Sequence, residues 1–219
     1  YVLRGSLRVE ACSIEANRAR SGGGIEALIS TLEIVDTDFL GNYTDTPNMS
    51  GGGLSCSGSV LTVVESTFGG NRTAIGIGGG GASLTGTNAV LTATTFVGNF
   101  AEVHPLNGGG GLAIEGGTVT IDRCAFVENC ATSSGQALHV RQGAVEISCS
   151  YVGDIDGFVD FLEPPIAGFS ALCEVVSCTD APFVDAELDV SEESVLLPGN
   201  NPCGVLIGDT TVGCQVSGA

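Results

Sequence analysis

The chain has 219 residues, of which 25 are acidic and seven are arginines, and it contains no lysine, so its formal net charge is −18. This charge argues against a nucleic-acid-binding protein, because phosphate recognition requires a basic surface. Hydrophobic residues make up 43% of the chain despite its 34 glycines, which excludes a disordered low-complexity protein. No apolar run is long enough to span a membrane.

One repeat unit recurs from residue 7 to residue 154. Its mark is an aromatic or aliphatic residue three positions before Asn or Asp, at Ile14/Asn17, Phe39/Asn42, Phe68/Asn71, Phe96/Asn99, Phe126/Asn129 and Tyr151/Asp154. Glycine-rich signatures precede five of these units and end at Ile25, Leu54, Ala82, Leu112 and Leu138. The spacing from signature to aromatic residue is 14 four times and 13 once. A spacing repeated this often predicts a solenoid with one coil per unit.

Within each unit, apolar residues alternate with polar ones at period two, as at Leu61 and Val63 or Val119 and Ile121. Such alternation is typical of half-buried strands. We therefore predict an all-β fold, a right-handed parallel β-helix of about six coils. Equivalent residues stack roughly 4.8 Å apart in such a fold, which predicts an internal phenylalanine stack and a ladder of asparagine amides.

The pairing of Phe-x-x-Asn with Gly-Gly-x-[Ile/Leu/Val] resembles the repeat of the chlamydial polymorphic outer-membrane proteins and related bacterial β-helix proteins. The likeness covers residues 7–154, although the third signature position, usually Ala in that family, is Gly in this chain. The resemblance implies an extracellular β-helical passenger associated with adhesion.

The repeat decays after residue 154, so we predict a repeat domain over 1–154 and an irregular, disulfide-containing cap over 155–219. The segment from Ala181 to Gly208 resembles the C-terminal tails of secreted bacterial β-helix repeat proteins. That resemblance implies secretion but assigns no activity.

Nine cysteines, two histidines and no CxxC pair disfavour a zinc site and favour an oxidising compartment. Cys173 with Cys178 and Cys203 with Cys214 are candidates for local disulfides in the cap. Cys12, Cys124 and Cys149 each stand two residues before the repeat aromatic position. Cys124 and Cys149 are thereby predicted to be stacked neighbours, either bridged or simply buried as small residues.

Segments of variable length separate each Asn from the next glycine signature and are expected to project from one edge of the solenoid. Candidate partner contacts there are Tyr43, Phe100, His104 and Leu106, and packing of the loops on one another is an equally good interpretation. Three glycosylation sequons begin at Asn42, Asn48 and Asn71. Asn48 is the best acceptor, since Asn42 and Asn71 also belong to the predicted ladder.

The sequence offers few candidate metal-binding or catalytic residues. Asp154, Asp156 and Asp160 lie in an oxygen-rich, Gly-containing stretch that suggests Ca²⁺, the one cofactor considered. Asp36, Asp38 and Glu65 form a weak carboxylate set that a solvated face explains better. Neither His104 nor His139 lies near a nucleophile elbow.

We therefore expect a non-catalytic, secreted or cell-surface structural or adhesive β-helix, glycosylated and contacting a cell-surface glycan or protein. The first coil, residues 1–21, is expected to expose an open edge, which would allow end-to-end self-association into a fibre. The alternative is a polysaccharide lyase or glycoside hydrolase on a β-helix scaffold, supported by analogy of fold alone.

Overall fold

A computed structural model describes residues 1–46, 51–76, 78–103, 108–132, 135–152, 155–156 and 160–161. This part of the chain is all-β, without helix, and forms a parallel β-solenoid of about five turns. None of its elements is a helix that could cross a membrane. The predicted cap, including Cys173, Cys178, Cys203 and Cys214, lies outside the described residues.

Each coil contributes short strands separated by tight corners. In chain order the strands are β1 (Val2–Leu3), β2 (Ser6–Glu15), β3 (Arg18–Ala19), β4 (Ile25–Leu28), β5 (Thr31–Leu40), β6 (Tyr43–Thr44), β7 (Leu54–Ser57), β8 (Val60–Val64), β9 (Thr67–Gly69), β10 (Arg72–Gly76), β11 (Ala82–Thr85), β12 (Asn88–Thr92), β13 (Thr95–Val97), β14 (Phe100–Val103), β15 (Leu112–Glu115), β16 (Thr118–Asp122), β17 (Ala125–Val127), β18 (Cys130–Ala131), β19 (Leu138–Arg141), β20 (Ala144–Ser148), β21 (Tyr151–Val152), β22 (Ile155–Asp156) and β23 (Asp160–Phe161).

Three parallel sheets run along the solenoid. The first has the order β1-β4-β7-β11-β15-β19-β22, and the third has the order β18-β14-β10-β6-β3. The second contains two limbs, because the long strand β5 pairs with β8 through its first half and with β9 through its second half. Every strand therefore hydrogen-bonds to its equivalent in the next coil, as the repeat predicts.

The core is a set of stacked columns. Phe39, Phe68, Phe96 and Phe126 form a continuous ring stack with centroids 4.7–4.8 Å apart and interplanar angles of 2–8°. All four rings are at most 1% exposed, so the predicted aromatic stack is confirmed. The alternating aliphatic residues of β5, β8, β12, β16 and β20 point inward beside it and are 0–4% exposed.

The asparagine ladder is also confirmed. Asn42, Asn71 and Asn99 are fully buried, and each side-chain oxygen accepts from the main-chain N–H and the amide of the Asn one coil earlier. Each amide also donates to a carbonyl oxygen, such as Asn71 Nδ2 to Phe39 O at 2.7 Å. The ladder satisfies main-chain groups that would otherwise be buried without partners where the chain turns.

A second ladder, built from hydroxyl groups, lies at the corner between the two limbs of the second sheet. Residues with positive φ mark this corner in every coil: Ala11, Asp36, Glu65, Ala93, Arg123 and Cys149. The next residue supplies a short polar side chain. Ser66 Oγ, for example, accepts from Thr37 N at 3.1 Å and donates to Val64 O at 2.8 Å. A side chain therefore completes the hydrogen bonding that the turning backbone cannot provide.

The glycine signature has a steric cause. Gly51 has a φ of +73°, and a Cβ there would lie 2.0 Å from Leu54 O. A Cβ on Gly52 would lie 2.2 Å from Gly80 O and 2.7 Å from the main chain of Arg72. The signature is where adjacent coils approach one another too closely for any side chain.

The last described coil corrects one assignment of the sequence analysis. Tyr151 pairs with Ala125, and it is Val152 that pairs with Phe126 and takes the place below the aromatic stack. The interior position of this coil is therefore one residue later than the sequence predicts, and Val152 stands at the spacing of 14 from the signature that the other units have.

The same shift overturns the proposed bridge between Cys124 and Cys149. Cys124 N donates to Ser150 Oγ at 3.0 Å, so Ser150 is the stacked neighbour of Cys124. Cys149 instead occupies the positive-φ corner position, with φ of 40°. No disulfide joins the two residues. Cys124 follows the other interpretation, since it is a fully buried small residue in the hydroxyl ladder.

Candidate functional surfaces

The outer face of the third sheet carries a column of alternating cations and aromatic rings, which we call the cation–aromatic column: Arg18, Tyr43, Arg72 and Phe100. Parallel pairing in register places Arg18 next to Tyr43, Tyr43 next to Arg72, and Arg72 next to Phe100. The Arg72 guanidinium carbon lies 5.8 Å from the Tyr43 ring centroid and 5.0 Å from that of Phe100. Arg18 lies 5.5 Å from the other side of Tyr43. These distances are typical of cation–π contacts.

Carboxylates hold both arginines in place. Arg18 Nε donates to Asp45 Oδ2 at 2.8 Å, and Arg72 Nη2 donates to Glu102 Oε2 at 2.8 Å. The hydrogen bond from Arg18 lowers the pKa of the Asp45 carboxyl below its usual value. The column is therefore neutral in charge, with its cations and rings positioned before any partner binds.

This column corrects the prediction that the variable segments are loops from their first residue. Each segment begins instead with a strand of the third sheet, β3, β6, β10, β14 or β18. Tyr43 and Phe100 are both predicted contact residues, and both are half-buried on the third sheet. The structure places their rings on either side of Arg72. His104 and Leu106 lie outside the described residues.

Sequence reasoning missed the two arginines of the column. Arg18, Tyr43, Arg72 and Phe100 each follow a ladder asparagine directly, so the signal was present in the repeat alignment. The signal is weak because the four residue types differ, and β3 and β6, with two residues each, show no alternation.

A second feature is a recess on the outer face of the first sheet. It is shallow, with a cavity volume of about 20 Å³, and spans β11, β15 and β19. Its polar and small lining residues are Ser83, Thr85, Ala113, Glu115, His139 and Arg141. Their positions follow from the sheet register, in which Ser83 pairs with Ala113 and Ala113 pairs with His139, while Thr85, Glu115 and Arg141 form the adjacent column.

The charged side chains of the recess balance one another. Arg141 Nη2 lies 2.9 Å from Glu115 Oε1. Ser83 and His139 are 4% and 9% exposed, although both belong to the outward-facing column. The presence of His139 here was not expected from the sequence, because the residues that surround it come from three coils.

Two of the three glycosylation sequons begin at asparagines of the buried ladder. Asn42 and Asn71 are fully buried, and their Nδ2 atoms, where a glycan would be attached, are engaged in hydrogen bonds to Ile14 O and Phe39 O. Folded coils therefore leave no room for glycans at these two positions. Asn48 lies outside the described residues and stays a prediction.

The candidate acidic sites do not converge. Asp36 and Glu65 occupy the same corner of consecutive coils, while Asp38 lies on the following limb, paired with Thr67. Within the described ranges, no group of three or more His, Cys, Asp or Glu side chains is placed to hold a metal ion.

The calcium prediction concerns Asp154, which lies outside the described residues, and Asp156 and Asp160, whose strands are described. Asp156 pairs with His139 in the first sheet, and Asp160 pairs with Glu146 in the second. Their backbones thus belong to different sheets, and calcium binding stays a prediction.

Comparison of the chain with protein-family models, with curated proteins and with solved structures found no match. The surfaces of the solenoid are therefore the guide to its function.

Proposed function

We propose that the chain is a non-catalytic, extracellular or cell-surface β-solenoid that acts by adhesive contact through the cation–aromatic column. The observation that carries this proposal is the placement of Arg72 between the rings of Tyr43 and Phe100, with centroid distances of 5.8 and 5.0 Å. Tyrosine and arginine are among the residue types enriched at the energetic centres of protein interfaces.

Preorganisation supports the proposal. Arg72 and Glu102 are 40% and 44% exposed in their side chains, so the ion pair is accessible while the rings fix the guanidinium. A partner that contacts this surface loses little side-chain entropy on binding, because the side chains are already ordered. Recognition is expected to be short-range and weakly salt-dependent, since each arginine is neutralised by its own carboxylate.

The resemblance of the repeat to chlamydial polymorphic outer-membrane proteins also favours adhesion and secretion. The number of cysteines favours secretion alone. The enzymatic alternative has weaker support. Glu115 is the one carboxylate among the described residues lining the recess, and it is salt-bridged to Arg141. Glycoside hydrolysis commonly requires two carboxylates that flank the bond to be broken.

Adhesion can be measured with beads coated with the whole chain, by counting their attachment to cultured epithelial cells and to one another. We expect attachment of the wild-type beads and its loss with the double variant Tyr43→Ala/Phe100→Ala. Val60→Ala/Val90→Ala is the matched control, because Val60 and Val90 are exposed residues of the second sheet. Equal attachment of all three proteins, or none by the wild type, would overturn the proposal.

Two further measurements separate the forms that this function can take. Native mass spectrometry and electron microscopy distinguish a fibre-forming protein from a monomer that binds another molecule. Incubation with neutral and acidic polysaccharides, with and without Ca²⁺, followed by product analysis tests the enzymatic alternative. Release of oligosaccharides would replace the adhesive proposal with a catalytic one.

A further inference from the structure

We infer that the C-terminal segment, residues 162–219, docks along the outer face of the second limb of the second sheet. This limb consists of the second half of β5 with β9, β13, β17 and β21. The inference is independent of the proposed adhesive function, because the cation–aromatic column lies on the third sheet. It is carried by the burial of outward-facing side chains and by the gradient of that burial along the solenoid.

Outward-facing side chains of the second limb are buried. Phe96 points into the core, so its neighbours Thr95 and Val97 point outward by the alternation of a strand. Both of them, and Thr67 one coil earlier, are nevertheless at most 4% exposed. Val90 also points outward, on the first limb of the same coil, and it is 46% exposed. The residue type does not explain the difference, since valine occurs on both limbs, so other atoms must cover the second limb.

The described strands do not supply this cover. Among them, β9, β13 and β17 pack extensively only against one another and against β5 and β21, their neighbours in the same sheet. The burial exists within a single chain, so the covering atoms belong to the same molecule. The cover is therefore a part of the chain outside the described residues.

The gradient of burial indicates which part. One outward column runs through Ser13, Asp38, Thr67, Thr95 and Ala125 in successive coils. Ser13 is exposed, Asp38 is half-buried, and the last three are at most 4% exposed. A cover that starts at the last coil and ends near the second coil produces this order. Residues 162–219 follow β23, which pairs with β20 at the last coil of this sheet.

The length of the C-terminal segment is sufficient. It is about a quarter of the chain. Tyr151 and Thr67 are three coils apart, a distance of roughly 14 Å that about five extended residues can span. The shorter segments 47–50, 104–107 and 133–134 each connect the third sheet to the first sheet, and neither end of any of them adjoins the second limb.

The charges of the two limbs favour docking on the second. The C-terminal segment is acidic, because it contains Asp and Glu residues and all seven arginines of the chain precede it. The first limb presents Glu33, Asp122 and Glu146, which would repel it. The outward residues of β9, β13 and β17 are uncharged, namely Thr67, Gly69, Thr95, Val97, Ala125 and Val127.

The polar groups of the covered column have partners. Asp38, Thr67 and Thr95 each make at least one polar interaction. Buried polar groups are nearly always hydrogen-bonded. A covering segment brings main-chain N–H and C=O groups, which can satisfy a row of hydroxyl groups as an apolar side chain cannot.

Photo-cross-linking within the full chain tests the identity of the cover. A diazirine analogue of leucine at position 97, in place of Val97, reacts on irradiation with whatever atoms touch it, and mass spectrometry of the digested monomer identifies the joined peptides. We expect cross-links to peptides of residues 162–219. The same analogue in place of Val90 is the matched control, because Val90 is an exposed valine of the same coil. It should form no cross-link to that segment.

Thiol accessibility tests the cover with a smaller change. In the full chain, a short pulse of iodoacetamide under native conditions should alkylate Thr95→Cys at least about tenfold more slowly than Thr92→Cys, since a covered thiol reacts only on local opening. Thr92 is the matched control because it is a half-buried outward threonine of the first limb. Peptide mass spectrometry distinguishes these thiols from the native cysteines. Equal alkylation of the two variants would overturn the inference. So would reaction of the position-97 analogue with water alone, with another part of the chain, or with a second molecule.

Discussion

Asn71 and Asn99 are joined by two hydrogen bonds to one atom. The Oδ1 of Asn99 accepts from the main-chain N–H of Asn71 at 2.9 Å and from its Nδ2 at 3.0 Å. The Nδ2 of Asn99 in turn donates to Phe68 O at 2.7 Å. One side chain thus contacts two main-chain groups of the preceding coil inside a buried corner.

We predict that Asn99→Ala destabilises the solenoid by about 1–3 kcal/mol, because it leaves the buried Asn71 N–H without an acceptor. Urea unfolding followed by far-UV circular dichroism measures the difference. Asn17→Ala is the control: Asn17 is exposed and donates to the same ladder, so its replacement should cost less than about 1 kcal/mol. Equal losses for the two variants would contradict the structural importance of the buried ladder.

We predict that Gly52→Ala is more damaging than Gly70→Ala. A Cβ on Gly52 would lie 2.2 Å from Gly80 O, and moving it away requires the two coils to separate. Gly70 has a φ of +58° but no atom within 4 Å of a Cβ, so its replacement costs only the left-handed conformation, about 1 kcal/mol. Thermal unfolding and limited proteolysis compare the two variants. A Gly52→Ala protein as stable as Gly70→Ala would be inconsistent with the close approach of the coils.

We predict that two buried thiols make the fold sensitive to alkaline pH. Burial raises the pKa of Cys56 and Cys124 from 9.0 to about 12. Since the folded thiols hold their protons more tightly than unfolded ones, their contribution is complete below pH 9 and is lost as the pH rises towards 12. Each thiol can change the unfolding free energy by up to about 1.4 kcal/mol per pH unit in that window.

The double variant Cys56→Ala/Cys124→Ser tests this prediction. Alanine stands at the position of Cys56 one coil earlier, and serine stands at the position of Cys124 one coil later, so both replacements suit their columns. Urea unfolding between pH 8 and pH 11 should show a shallower loss of stability in the variant than in the wild type. Parallel slopes would show that the thiols do not titrate with unfolding.

The coils could be predicted from the sequence because every interior position requires an apolar residue at a fixed spacing. The interior position of the last coil was predicted one residue too early. Phe126 has Val152 as its neighbour, since the interior position accepts any apolar residue of suitable size. Tyr151 matches the column in being aromatic, but it stands 13 residues after Leu138 where the other units have 14. The spacing of 14 falls on Val152. Aromatic identity was thus a weaker guide than the distance from the glycine signature.

Neither surface could be derived in full from the sequence. The stacking of Arg72 with Tyr43 depends on the pairing of β10 with β6 in the third sheet, and β6, with two residues, shows no period. The recess depends on Ser83 and Ala113 being small beside Glu115 and Arg141, which only a known register between coils reveals. Outward-facing residues are not constrained by packing in the core, so they show no repeated residue type. Their arrangement becomes visible only from the register between neighbouring coils.

The equivalence of successive corners makes length an adjustable property of this protein. Gly70-Asn71 and Gly98-Asn99 occupy the same corner, separated by 28 residues. The segment from Asn71 to Gly98 is therefore one exchangeable unit, whose excision would join Gly70 to Asn99 and preserve the corner. Duplication or loss of such units in evolution would change the reach of the molecule in increments of roughly 4.8 Å, with the interior chemistry left as it is.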